Sequence, residues 1–217
     1  ARLEGARIAG YDVRQGPALD AVRIAPGPAH RRGLDDRDVH VADLRDAGGA
    51  EICDGNFAGI QASAMSWTGG NAYGIQCGAL ANVVSGNSVA LQAGLVNVNW
   101  GDAAGLQFGL VNYASNYRGV QFGGIINWNE LPSYGLEVGL VNANQDEYFG
   151  WALGALVNYS DKFRGFGLGL VNVAYEVNGC QVGLVNACDK MHGVQFGLIN
   201  MITESKLPIM VLANAWF

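Results

Sequence analysis

GLQFGLVN stands at residues 105–112, GLEVGLVN at 135–142 and GVQFGLIN at 193–200. Within the first, Leu106, Phe108 and Leu110 alternate with Gly105, Gln107, Gly109 and Val111. This is the period-2 pattern of a β-strand, because a helix would return side chains to one face every 3.6 residues. Copies are led by Gly59, Gly74, Gly105, Gly119, Gly135, Gly150, Gly165, Gly179 and Gly193, with Ala90 in the one gap, at spacings of 14 to 16 residues. Seven or eight residues after a leading position come Asn82, Asn97, Asn112, Asn127, Asn142, Asn158, Asn172, Asn186 and Asn200, and Asn214 closes the series. Each unit is one strand followed by a polar, turn-prone connection such as NWGDA or NANQDE. The units ending at Asn82, Asn127 and Asn158 carry one extra residue between the second Gly and the Asn, which predicts a bulge or widened corner.

The fold class is all-β, and two architectures use about ten such strands. In a β-solenoid each repeat is one coil and parallel strands stack about 4.8 Å apart. In an up-and-down barrel successive strands run antiparallel, so the connections fall into two alternating classes. No such alternation in length or polarity occurs here, which favours a short-coil solenoid, about 48 Å long for about ten coils. The three apolar positions of one strand span roughly 14 Å, against the apolar band of about 25 Å on a membrane barrel. The barrel of about ten strands stays open as the alternative because the chain ends in NAWF, and a terminal Phe near strand-end aromatics is a habit of outer-membrane barrels.

Coil-on-coil stacking sets each position on its equivalent. The expectation is that Leu, Phe and Val meet their counterparts in one continuous apolar core. The Asn residues then form a ladder at a corner, with positive φ or with bonds to neighbouring backbone. Gln61, Gln76, Gln92, Gln107, Gln121, Gln181 and Gln195 form a second ladder on the face opposite the Leu/Phe stripe. The last unit, KLPIMVLANAWF, loses both glycines and gains Pro208, as an atypical terminal repeat does.

Residues 1–55 read as a leader or cap and residues 56–217 as the repeat domain. The leader carries Pro17, Pro26, Pro28 and the charge runs HRR and DDRD. Residues 1–50 hold as many acids as bases, so the net charge of −6 belongs to residues 51–217. That balance argues against nucleic acid, which needs a basic stripe. No apolar run reaches the roughly 18 residues of a membrane helix.

Chemistry needs a nucleophile with a base, a carboxylate pair or a metal cluster. His30 and His40 lie near Asp35, Asp36, Asp38 and Asp43, where a solvated charge run is the simpler reading. His192 reads as exposed on a turn, and Glu137, in a ladder Gln position, as a solvent-facing or Gln-bonded carboxylate. Cys53, Cys77, Cys180 and Cys188 lack paired metal spacing. Cys180 and Cys188 can lie across one coil from each other, which allows a disulfide; small buried thiols are the equal alternative. The GxQxG runs continue as strand and so are not phosphate loops. The calcium-coil motif GGxGxD is absent, and Thr68 and Thr203 are too few for an ice-binding Thr face. Trp100, Tyr113, Tyr117, Trp128, Tyr134, Tyr148, Phe149, Trp151 and Tyr159 form a candidate interaction strip. The reading assigns no catalytic residue, cofactor or metal.

These repeats resemble a family of bacterial surface-repeat proteins marked by tandem G-[LVI]-Q-x-G-L-[VI]-N. The resemblance covers residues 57–217, and the closing LPIMVLANAWF is similar to that family's last segment. It implies a secreted or outer-surface protein with no assigned reaction and no catalytic residues to carry over. The functional expectation is a non-enzymatic structural or adhesive protein of the cell surface, outer membrane or extracellular space. Its partners would be itself, as an oligomer or fibre, or a surface glycan or protein, with membrane association open.

Overall fold

The computed structural model describes residues 11–12, 22–24, 40–41, 49–53 and 55–217. The elements are β1 (Tyr11–Asp12), β2 (Val22–Ile24), β3 (His40–Val41), β4 (Ala50–Cys53), β5 (Phe57–Thr68), β6 (Ala72–Val84), β7 (Ser88–Ala93), β8 (Val96–Asn129), β9 (Ser133–Leu168), β10 (Val171–Val182), β11 (Val185–Ile202) and β12 (Ile209–Trp216). From β4 to β11 the pairings are parallel and join residues one coil apart: Gly59 lies beside Gly74, Gln92 beside Gln107, Asn127 beside Asn142 and Asn172 beside Asn186. The result is a β-solenoid of about ten turns of about 15 residues. Parallel neighbours exclude the up-and-down barrel.

The leading glycines hold the coil's repeated corner. Their φ values run from 121° to 150°, a region that costs an L side chain energy. Stacking adds a second constraint, because a Cβ on Gly150 would overlap the carbonyl oxygen of Gly135 in the preceding coil. A further bend follows at Gly94–Leu95, Gly169–Leu170 and Gly183–Leu184. Register steps between Ser63 and Met65 and between Gly123 and Ile126 place bulges in the units ending at Asn82 and Asn127, where the spacing predicts them.

The filling reverses the expected core. Leu106, Phe108 and Leu110 face outward at 37%, 40% and 44% exposure, while Gln107 and Asn112 are buried at 2% and 0%. Leu, Phe and Val therefore form the outer wall, and the amides form the interior. The physical reason is that a stacked primary amide satisfies itself along the axis. Asn82, Asn97, Asn112, Asn127, Asn142, Asn158, Asn172 and Asn186 each donate from Nδ2 to Oδ1 of the Asn in the next coil at 2.7–2.9 Å. A spare N–H goes to backbone, as from Asn97 to the Phe108 carbonyl at 2.9 Å. Burial then costs little, because few polar groups lose water without a replacement partner. No ladder Asn has positive φ; the backbone-bonding alternative is the one used.

The Gln ladder runs the other way. Gln76, Gln92, Gln107 and Gln121 each donate to Oε1 of the preceding Gln at 2.7–2.9 Å, so its amide dipoles oppose those of the Asn ladder. The row lapses at Ala152 and Gly167 and resumes with Gln195 donating to Gln181 at 3.0 Å. Unpartnered buried atoms fall where ladders end: Gln61 Nε2, Asn82 Oδ1 and Gln195 Oε1.

Asn214 does not close the Asn ladder. β12 runs antiparallel to β11 and sets Asn214 opposite Gln195, with Met210 opposite Asn200. Asn214 Nδ2, an unpartnered donor, thus faces the residue carrying the unpartnered Gln195 acceptor. The atypical last unit covers one strand edge of the solenoid, as expected of a terminal repeat. At the other end, β4 stacks on β5 from Ala50 beside Met65 to Cys53 beside Thr68, so coil stacking reaches back into the segment without the motif. β1, β2 and β3 pair antiparallel, and β3 meets β5 at His40 and Phe57.

Candidate functional site

Inside the coils the outstanding group is Glu137. It occupies the Gln row and is 1% exposed, and it accepts hydrogen bonds from Asn129 Nδ2 at 2.7 Å and Asn144 Nδ2 at 2.9 Å. It is neither solvent-facing nor Gln-bonded, because its strand turns the whole row inward. Burial pushes its carboxyl up to about 8, partly opposed by the two Asn amides. The folded chain therefore holds it largely protonated at neutral pH.

Beside it, the Tyr148 hydroxyl shares its one proton between the Gly135 and Trp151 carbonyls, at 2.9 and 3.0 Å. Tyr117 makes the equivalent bonds to Gly105 and Val120 at 2.8 and 2.9 Å. Both hydroxyls are raised by burial. Where the Gln row lapses, the Tyr148 and Phe163 rings stack at 5.9 Å and take up the volume. What remains is a void of about 10 Å³ bordered by Asn142, Asn144, Asn158, Ser160 and Gln181, at the lower limit for one water molecule. The interior is a packed structural filling.

The thiol pair expected across a coil is not brought together. Cys180 is half-buried on the outer wall beside Phe166 and Val194, whereas Cys188 is buried inside beside Ala174. The two project from opposite faces of the wall and form no disulfide. Cys188 Sγ instead accepts a bond from Gln195 Nε2 at 3.3 Å, and burial pushes its thiol up to about 12.

His192 is exposed, but it lies within strand β11 and not on the turn that the sequence suggested. His30, Asp35, Asp36, Asp38 and Asp43 lie outside the described residues, and His40 is described only as part of β3. Among the described residues no group of three His, Cys, Asp or Glu side chains is placed to hold a metal ion.

The outer wall is where surface chemistry gathers. From residue 57 to residue 200, every charged side chain except Glu137 lies between the third residue after a ladder Asn and the residue before the next leading position. The rest of each coil is charge-free. One apolar row is Ile60, Ile75, Leu91, Leu106, Val120, Leu136, Trp151, Phe166, Cys180 and Val194; a second runs from Ala62 through Phe108, Phe122 and Leu168 to Phe196. Leu80, Leu95, Leu110, Ile125, Leu140, Leu156, Leu170, Leu184 and Leu198 form a ridge at the next corner, 40–56% exposed. Phe108 and Phe122 stack at 5.0 Å. Beside them lies an open groove of about 440 Å³ walled by Phe108, Phe122, Val138 and Leu140 and floored by Gly123 and Gly124.

The candidate aromatic strip divides. Tyr117 and Tyr148 are core residues, Trp151 belongs to the apolar wall, and the others lie along its margins or among the connections. The charged side carries its own contacts: Arg164 pairs with Glu147 at 2.7 Å, and the Arg118 guanidinium sits 5.6 Å from the Tyr134 ring centre. Sequence reading missed the apolar wall because it assigned those rows to the core. The signal was present in the chain: after Ser66 the slot holds Asn in nine successive coils, whereas the supposed core slot accepts Leu, Val, Trp, Phe and Cys alike.

No protein-family model matches the chain, and neither curated proteins nor solved structures give a significant match.

Proposed function

We propose that this chain is a non-enzymatic structural or adhesive rod of the bacterial surface, working through its long outer faces. The observation that carries the reading is the inversion of the wall: a self-satisfied Asn ladder inside and a continuous row of Leu, Ile, Val and Phe outside. An exposed apolar area larger than a few hundred Å² marks an interaction surface. Here the rows run about 48 Å along the axis. The tandem motif G-[LVI]-Q-x-G-L-[VI]-N supports the surface placement by resemblance. The test is to treat intact cells of the producing bacterium with an external protease and follow the chain with an antibody. Loss of the chain while a cytosolic marker survives is the expected result, and full protection until the cells are lysed overturns the placement.

A further inference from the structure

We infer that the partner of the charge-free wall is an uncharged phospholipid surface, on which the rod lies with its Leu/Ile ridge deepest and its charged connections in water. The inference rests on the surface-rod reading above and names the chemistry of its partner.

Three observations converge. First, residues 106–113 in one coil cover roughly 27 Å of contour without a charge, which over about ten coils gives on the order of 1,000 Å² of apolar wall. It consists of two faces meeting at the ridge of Leu110, Ile125, Leu140 and their equivalents. A rigid partner seated on one face leaves the other wet, whereas a lipid leaflet wets both at once.

Second, side-chain type is ordered across the wall. Leu, Ile, Val and Phe dominate its middle, while Trp67, Tyr113, Trp128 and Tyr159 stand on one margin and Tyr73 and Tyr134 on the other. Charges begin beyond the first of these margins, and on the second Arg118 and Arg164 stand in the row of Tyr73 and Tyr134 itself. Amphipathic Trp and Tyr between hydrocarbon and charge is the order of a membrane interface. Apolar faces of interfacial elements sink about 5–10 Å into the headgroup boundary.

Third, the groove between Phe122 and Leu140 is lined by hydrocarbon and glycine alone. A glycan or peptide there would give up water with no side-chain hydrogen bond in return. An acyl chain has nothing to give up. The repeats carry an excess of acids, so a neutral headgroup suits the wall better than an anionic one.

The experiment is flotation of the full chain with phosphatidylcholine vesicles on a density gradient, in low and in high salt. The chain is expected to float in both. The triple variant Leu110→Lys, Leu140→Lys, Leu170→Lys, altered at exposed positions, is expected to keep its β-type CD spectrum and lose most of the floating fraction. The charged-side variant Asp161→Asn, Glu176→Gln is expected to float like the wild type. A readout independent of any variant is quenching of the wild type's Trp fluorescence by phosphatidylcholine with brominated chains. Unquenched Trp, a wild type that stays at the bottom as a lipid-free dimer, or a triple variant that floats undiminished each overturns the inference. Protease-accessible chain on cells without vesicle binding sinks the lipid partner alone; protected chain sinks the surface placement as well.

Discussion

Coils built from residues 57–144 and coils built from residues 148–202 share a backbone but not a filling. The first group is packed with amides: Gln61 through Gln121, the Asn ladder and the extra Asn99, Asn129 and Asn144, all buried. Asn99 and Gln92 exchange two amide bonds across the coil, at 2.7 and 3.3 Å. The second group keeps the Asn ladder but replaces most other inner positions with Tyr148, Ala152, Phe163, Ala174, Val177, Cys188, Met191 and Ile202, one contiguous apolar cluster. The same corner glycines and the same Asn row therefore tolerate either lining. The backbone stack and the Asn ladder specify the coil, and the remaining inner positions need only fill it.

The largest expected effect ignores the division. Gly150→Ala and Gly119→Ala each place a Cβ at positive φ against a preceding coil's carbonyl. Each should cost more than about 4 kcal/mol, the range reserved for a named structural break. Equal losses in the two halves, read from urea midpoints, sharpen the comparison; a mild effect in either half breaks the shared-backbone claim.

Next comes the apolar half alone. Phe163→Ala removes a ring from the cluster and enlarges the adjoining void, at a cost of about 3–5 kcal/mol. Chemical denaturation checks it.

Asn127→Ala should cost about 1–3 kcal/mol, the penalty of a buried polar group left without its partner. It strips the donor from Asn142 Oδ1 and from the Val138 carbonyl at once. Asn172→Ala, in the apolar half, should cost a similar amount, since the Asn ladder is common to both; a twofold difference in urea-derived ΔΔG would show that the ladder matters in one lining only.

The effect that depends on pH belongs to Glu137 at the boundary, and it is small only near pH 5. Its folded carboxyl sits at about 8, raised by burial from 4.5. Stability is therefore full below about pH 4.5, falls by up to about 1.4 kcal/mol per pH unit as the pH rises, and levels off above about 8. Glu137→Gln should remove that slope in a thermal-melt series. A wild type whose Tm is flat from pH 5 to 8 would contradict a buried, protonated carboxyl.

Much of this fold was readable from the repeats. Period-2 alternation, leading glycines and connections without odd–even classes point to parallel coils, and the extra residues before Asn82 and Asn127 locate two bulges. Alternation separates two faces without saying which is inside. The habit that hydrophobes go inward is a one-way rule, and it fails where stacked amides satisfy one another. That inversion also hid the placement of Cys180, Cys188 and Glu137. The end of the Asn series was misread for a different reason: Asn214 matches the motif letter, but its strand reverses direction, which spacing alone does not reveal.

The polarity of the wall is open to a direct measurement with the native thiols. Cys77 and Cys180 lie on the outer rows, and Cys188 lies inside. Folded chain, free of lipid, would be treated with a maleimide and each cysteine's modification quantified by peptide mass spectrometry, then repeated in denaturant. The account predicts rapid labelling of Cys77 and Cys180, with Cys188 labelled only after unfolding. Labelling of Cys188 as fast as Cys180, or a disulfide joining the two, would contradict it.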